Sequence, residues 1–311
     1  MDQKSNTNIP KIYHGPENVG AIGRYLADWQ RSKKGAIADF IVYEDNTNRK
    51  ISHKNLHLER ENFFKRNILK LKFFFSAWRQ YDIFHFYFGK TLLPFCIDLP
   101  VLRLSGKIII MHYLGSDIRL YKLHSKTNPY YKLRKPKSLW DHFDLAKRIR
   151  MMWQSLWFHL CFAGKSIYQD ALTSIPKRKI VKDLWLSTTL DVPKSLPAFK
   201  EKDRVLIIHA PTNPLTKGTK YVEQAISALK EEGLEFDFRI YHKVPHDEFI
   251  KVLIDEADII VDQLLSGGFG TLAMEGMCYG KPVCGYITDE LRSTYPDLPI
   301  VQCTVETLKD V

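Results

Sequence analysis

The sequence predicts an α/β protein of two halves, each a parallel sheet with crossover helices. Three observations carry this. Apolar runs of strand length alternate with patterns of helical period along most of the chain, an order that implies parallel strands joined by right-handed crossovers. Each half contains a strand, a glycine turn and a helix start: residues 11–14 lead to Gly15, Gly20 and Gly23, and residues 258–265 lead to Gly267, Gly268 and Gly270. A polar stretch at 187–203, with Pro193 and Pro197, reads as a linker between a first domain over 1–190 and a second over 204–311.

The first half opens with the strand at 11–14 and a helix carrying Ile22, Leu26 and Trp29. Its glycines lack the G-x-G-x-x-G spacing of a dinucleotide fingerprint. A strand at 36–43 follows. Residues 57–78 are helical by period, with Phe63, Phe64, Ile68, Leu71, Phe74 and Phe75 alternating with Lys65, Arg66, Lys70 and Lys72. The favoured reading is a crossover helix that packs its aromatic face on the sheet. The other reading is a basic aromatic helix on an anionic membrane surface. The next strand starts at Tyr81, and 91–104 reads as a crossover helix interrupted by Pro94 and Pro100. The buried strand 107–111 runs into HYLGSDIR, which sets His112 and Asp117 at the carboxyl end of a parallel strand, where open α/β sheets bind ligands. Trp153, Trp157, Phe158 and Phe162 read as one aromatic face, and 170–174 reads as the last strand of this half.

In the second half the strand 204–210 precedes the loop PTNPLTKGT and a helix at 220–232. Strands at 236–241, 258–263 and 281–287 alternate with helices at 246–256 and 271–279. This half is short and reads as incomplete, without a closing helix.

Composition narrows the function classes. With 311 residues, 45% apolar and 26% charged, the chain is globular rather than disordered. The opening residues MDQKSNTNIP lack the apolar core of a signal peptide. The longest apolar run, 151–163, falls short of the ~20 residues of a membrane span. Cys96, Cys161, Cys278, Cys284 and Cys303 are odd in number and scattered, so reduced thiols in a cytoplasmic protein are expected, with no zinc site and no disulfide frame. A net charge of +11 suits a phosphate-bearing substrate, an anionic membrane or nucleic acid. Residues 119–150 hold ten Lys or Arg against two Asp, interleaved with Tyr121, Tyr130, Tyr131, Trp140 and Phe143. No RNA-module motif accompanies them, so a nucleic-acid partner is not expected.

The chemistry centres on 257–286. Backbone N–H groups at a helix start favour an anion, and glycines let a phosphate approach the backbone closely. Lys217 comes from another loop at the carboxyl side of the same sheet and adds a point charge for a diphosphate. Glu275, one helical turn past the glycines, suits ribose hydroxyls. No D-x-D pair in a metal-like context is present.

At these residues the sequence resembles the GT-B glycosyltransferases, specifically the retaining family 4 or group 1 enzymes. HAPTNPLTKGTKYVEQAI and ADIIVDQLLSGGFGTLAMEGMCYGKPV carry most of the resemblance, with YDIFHFYFGKTLLP and IIIMHYLGSDIR in the first half. It implies two Rossmann-like domains facing across a cleft, with a nucleotide sugar bound by the second and the acceptor by the first. Lys217 matches the family's diphosphate lysine. Gly268, Phe269 and Gly270, with Thr271 at the helix start, match the turn beside the donor. Glu275 matches the second Glu of a Glu-x7-Glu pair, which contacts the ribose. His112 matches a histidine near the transferred sugar, and Gly15 and Gly20 match the first glycine loop, near phosphates and acceptor, with Asp117 grouped there. The first Glu of the pair is replaced by Gly267, and 211–216 offers no arginine as a second phosphate contact. Family members end in a helix returning to the first domain, and none is visible here.

The resulting expectation is a retaining glycosyltransferase of polysaccharide biosynthesis, with His112 and Lys217 in catalytic roles. It would take a nucleotide-diphosphate sugar as co-substrate, need no further cofactor or metal, and act on a glycan or lipid-linked acceptor. An anionic membrane surface is a candidate partner, giving a peripheral location at the inner membrane face. The alternative is a catalytically silent partner subunit that binds nucleotide sugars.

Overall fold

A computed structural model describes residues 9–33, 35–45, 52–134, 144–182, 193–196 and 202–311. Trp140, Phe143, Pro197 and most of the expected linker lie outside the described residues. The chain forms two compact units: Met1–Arg119 with Leu145–Thr188, and Leu120–Asp144 with Thr189–Val311. The excursion Leu120–Asp144, from the first half of the sequence, thus clusters with the second unit.

The first unit is built on a seven-stranded sheet in the order β3-β2-β1-β4-β5-β6-β7. Its strands are β1 (Lys11–Gly15), β2 (Ile37–Val42), β3 (Lys54–Asn55), β4 (Ile83–Tyr87), β5 (Ile108–Tyr113), β6 (Leu160–Ala163) and β7 (Ile180–Lys182). Every pairing among them is parallel. Helices α1 (Ile22–Ser32), α2 (Phe63–Gln80), α3 (Asp98–Leu104), α5 (Asp144–Trp157) and α6 (Lys165–Leu172) connect them, and α4 (Tyr121–Thr127) lies in the excursion. Parallel strands buried on both faces read as continuous apolar runs, as IIIMHY in β5 does. Beneath the sheet Tyr13 is fully buried, ringed by Phe73, Tyr81, Phe84 and Phe86, and its hydroxyl donates to the Ile41 carbonyl at 3.1 Å.

Two expectations are corrected here. Residues 170–174 are not a strand. The last strands are β6 and β7, and Lys165–Leu172 is helical. The aromatic face read through Trp153, Trp157, Phe158 and Phe162 concealed β6, but Leu160–Ala163 pairs with Ile110–Tyr113, and sheet pairing outweighs local pattern. The aromatic face of α2 does not pack on the sheet as a whole. Phe74 is buried, whereas Phe63, Phe64, Ile68, Leu71 and Phe75 are exposed.

The second unit carries a five-stranded parallel sheet, β12-β11-β10-β8-β9. Its strands are β8 (Leu206–His209), β9 (Asp237–Ile240), β10 (Ile259–Val261), β11 (Val283–Gly285) and β12 (Ile300–Gln302). Helices α7 (Pro214–Lys217), α8 (Thr219–Glu231), α9 (His246–Asp255), α10 (Thr271–Cys278) and α11 (Asp289–Thr294) complete it. One core joins Ile208, Leu253, Ile260, Ala273 and Val283. A second joins Val222, Val261, Leu264, Leu265 and Cys303. All five cysteines are free.

Helix α10 lies unusually close to the sheet because Gly276 faces it. A Cβ there would sit 2.4 Å from Ile260 Cδ1 and 2.9 Å from Val283 Cγ2. Gly276→Val is therefore expected to destabilise the protein by about 2 kcal/mol or more through overpacking. An unchanged urea midpoint would refute that close approach.

Candidate functional site

In the second unit, local chemistry delivers Lys217 to the carboxyl end of the sheet. Asn213 caps the one-turn helix α7, its side chain accepting from Thr216 N at 3.1 Å, and Pro214 follows at the first helical position, where a missing N–H costs nothing. Gly218, at φ 88, ends the turn in the left-handed region and starts α8 directly. The Lys217 carbonyl accepts from Leu264 N at 3.0 Å, which ties this turn to the segment after β10.

Asp262, just past β10, joins the lysine to the glycine turn. One carboxylate oxygen lies 3.1 Å from Lys217 Nζ, and the other accepts from Gly270 N at 2.8 Å. Its side chain is 3% exposed, against 17% for Lys217. Gly270 is the residue preceding α10, and a Cβ on it would stand 2.9 Å from Lys217 Nζ. The ammonium is thus held against a helix start. Cation and helix N-terminus both favour negative charge at this point.

The other expected residues occupy one stretch. Gln263 Nε2 donates to the Gly268 carbonyl, which shapes the turn. Phe269 packs its ring on Tyr295, with centroids 6.2 Å apart. Thr271 opens α10. Glu275 is buried one turn further on, and His246 at the start of α9 lies 2.8 Å from its carboxylate. Glu275 therefore meets an imidazole, a partner that sequence spacing did not suggest.

Gly267 has a structural reason for lacking a side chain. Its φ is +70, and a Cβ would come within 2.5 Å of Thr288 Cγ2 and 2.8 Å of Asn128 Nδ2. Asn128 belongs to the excursion. Fully buried, it donates to the Leu265 carbonyl at 3.0 Å and accepts from Tyr130 N at 2.9 Å. Tyr130 lies edge-on to Tyr286 and donates to Glu306 at 2.8 Å. The excursion thus fills the space into which a glutamate at 267 would project.

In the first unit, Gly15 ends β1 and Gly20 lies in the loop between β1 and α1. A Cβ on Gly15 would fall 2.2 Å from the Ile41 carbonyl oxygen, so only glycine fits. Asn18 accepts from Ala21 N at 3.0 Å and donates to Asp45 at 2.6 Å, which shapes the same loop. Asp117 is buried, and its carboxylate accepts from Gly115 N at 2.7 Å and from Leu114 N at 3.2 Å. It shapes its own loop, and desolvation pushes its pKa up.

His112 is buried in a row of aromatic rings across three strands. It stacks on His85 at 5.6 Å, and His85 lies 5.1 Å from His14. Tyr87 completes the row, 2.7 Å from His14 Nδ1, while His14 Nε2 lies 2.8 Å from Gln30 Oε1. The Gln30 oxygen can only accept, so Nε2 carries the proton and Tyr87 donates to Nδ1. Burial lowers the pKa of His14 to about 4 and that of His112 to about 3, and takes His85 well below the ordinary value. All three are neutral at pH 7.

Sequence reasoning found Lys217, Gly270 and Thr271 but missed Asp262, His246 and Asn128. An aspartate closing the apolar run IIVD was the one available signal for Asp262. His246 and Asn128 lie 29 and 137 residues from their site partners, Glu275 and Leu265, and carry none.

No family model and no curated protein sequence matches the chain. Solved structures do. The S. aureus MnaA–UDP co-structure aligns over 96% of this chain and 86% of that one, at 13% identity and a TM-score of 0.53. UDP-GlcNAc 2-epimerase from Neisseria meningitidis, bound to UDP-GlcNAc, aligns over 96% and 88%, also at 13% and 0.53. The catalytic domain of starch synthase IV from Arabidopsis thaliana, bound to ADP and acarbose, aligns over 92% and 84%, at 12% and 0.50. At such identities the likeness is one of fold. The fold is of the GT-B type, an α/β architecture of two Rossmann-like domains.

Two outcomes are expected. Unfolded histidines protonate near pH 6.5, whereas His14 and His112 resist until about 4 and 3. The unfolded state then binds more protons, so stability should fall as pH drops from about 6.5 toward 4. A urea midpoint indifferent to pH in that window would refute the neutral row. Separately, Gly267→Glu should destabilise by about 2 kcal/mol or more, from overpacking and left-handed strain. Wild-type thermal stability in that variant would refute the contact with Asn128.

Proposed function

We propose that this chain is a glycosyltransferase that uses a nucleotide-diphosphate sugar, of the retaining type that its sequence resembles. The observation that supports this best is the Lys217–Asp262–Gly270 arrangement. A lysine held against a glycine-rich helix start offers a point charge and backbone donors where a leaving diphosphate gathers negative charge. Asp262 positions the ammonium, and Gly268, Phe269, Gly270 and Thr271 form the wall along which the diphosphate lies. Glu275, oriented by His246, accepts hydrogen bonds from ribose hydroxyls.

With retention, the acceptor hydroxyl attacks on the leaving-group face and its proton passes to the departing phosphate oxygen. In the first unit, Gly15 and Gly20 serve phosphate or acceptor, and Asp117 holds its loop in shape. His112 is neutral, so it acts near the transferred sugar as a hydrogen-bonding group rather than a cation. The acceptor is a glycan or lipid-linked precursor of polysaccharide.

Two other readings have specific support. Proteins of the same fold include a UDP-GlcNAc 2-epimerase, which favours epimerisation of a nucleotide sugar. Gly267, with Asn128 packed against it, favours a silent nucleotide-sugar-binding subunit. Incubation with UDP-, GDP- and dTDP-sugars separates the three. A transferase slowly hydrolyses its donor, an epimerase returns an isomeric nucleotide sugar, and a silent subunit does neither.

Lys217→Ala should lower turnover by about a hundredfold or more, while Lys217→Arg keeps the ion pair and controls for folding. Glu275→Ala should chiefly weaken nucleotide affinity by calorimetry. Full turnover in Lys217→Ala, or unaltered affinity in Glu275→Ala, would remove those roles.

A further inference from the structure

Among its described residues the first unit carries an exposed apolar surface. Helix α2 exposes Phe64, Ile68, Leu71 and Phe75, spaced i, i+4, i+7, i+11. Helix α5 exposes Leu145, Ile149, Met152 and Leu156 at the same spacing. Between them, α3 and the residue before it expose Ile97, Val101 and Leu104. That spacing places each set on one stripe of its helix.

The three helices form one layer. Trp78 of α2 donates from Nε1 to Ser105 Oγ, just after α3, at 2.8 Å. Trp153 of α5 donates from Nε1 to the carbonyl of Cys96, in the turn before α3, at 3.4 Å. Phe95 stands out from that turn. It is 91% exposed and sits at φ 56, a backbone region that bulky residues seldom occupy. Phe64 and Leu104 are 79% and 81% exposed. An apolar area spread over three adjacent helices is far beyond the scattered exposure of an ordinary surface.

Charge identifies the occupant. Helix α2 has no acidic residue; of its cations Lys65 pairs with Glu61, Arg66 with Glu44, and Lys70 lies over the Tyr43 ring, which leaves Lys72 and Arg79 for the surface. Lys72 and Arg79 are exposed on either side of Phe75, and among the described residues neither has a carboxylate partner. Helix α5 adds the exposed Arg148, whereas Lys147 and Arg150 turn inward to the carbonyls of Arg119 and Asp117. The one acidic residue of α3, Asp98, is buried and bonded to Thr91 at 2.6 Å. A second copy of this chain would meet this face with like charge. A bilayer containing anionic lipid offers both an apolar interior for the stripes and negative headgroups for the lysines and arginines.

We infer that the α2–α3–α5 face of the first unit docks on an anionic lipid bilayer, with Phe64, Phe95 and Leu104 inserted among the acyl chains and Lys72 and Arg79 at the headgroups. Docking depends on this surface alone, whether or not the chain transfers a sugar.

Co-sedimentation of the full chain with vesicles tests it. The protein should pellet with an equal mixture of phosphatidylglycerol and phosphatidylcholine at low salt, and remain in the supernatant with phosphatidylcholine alone. Lys72→Glu/Arg79→Glu should weaken binding by about tenfold or more. Phe64→Ser/Phe95→Ser should weaken it at both low and high salt, and these exposed sites leave the fold intact by circular dichroism. No pelleting of wild type with the anionic vesicles would overturn the inference. So would a wild-type dimer in light scattering that Phe64→Ser/Phe95→Ser converts to monomer, since a second copy would then cover the face.

Discussion

The second unit depends on one buried carboxylate. Asp262 stands at the end of β10 with two obligations, the ammonium of Lys217 and the backbone N–H of Gly270. Removing one partner of a buried ion pair costs far more than the pair contributes, because a charge is left without compensation. The pair therefore specifies position more than it adds stability. It sets α7 and the start of α10 against each other, and through the Leu264 N–H to the Lys217 carbonyl it also sets the strand end. Any anion that binds there meets a cation whose place was fixed by folding rather than by the ligand.

Both sheets bury polar rings at their carboxyl ends and hold them neutral. His209 is fully buried, with Nδ1 2.7 Å from the Val261 carbonyl and Nε2 2.9 Å from Thr219 Oγ1. A carbonyl only accepts, so Nδ1 carries the proton and Thr219 donates to Nε2. Burial lowers its pKa, as it does in the row of His14, His85 and His112. In each case the ring serves as a flat, polarisable filler between strands. The consequence is a fold whose integrity is linked to pH through groups that carry no charge under ordinary conditions.

The architecture was largely legible because parallel α/β folds write themselves locally. Apolar runs such as LIIH and IIIMHY can only be buried strands in this context, and Gly218 and Gly270 mark helix boundaries by backbone geometry alone. The misreadings have the opposite character. β6 was hidden because a four-residue strand beside a tryptophan-rich helix shares its apolar content. The outward aromatics of α2 were hidden because period identifies a stripe but not which stripe the sheet takes. Phe73, Phe74 and Ala77 face inward, and the equally apolar Phe64, Ile68 and Phe75 do not.

By itself the sequence determined the alternation of strands and helices, the glycine turns and the presence of Lys217 near one of them, since these follow from local propensity and from residues close in the chain. Tertiary structure alone decided that Asp262 binds Lys217 and Gly270, that His246 meets Glu275, and that Asn128 fills the space beside Gly267. Those contacts join segments separated by 45, 8, 29 and more than a hundred residues. No pattern along the chain encodes them, because they arise only when separate βα units pack on a common sheet and each polar group must find a partner away from water.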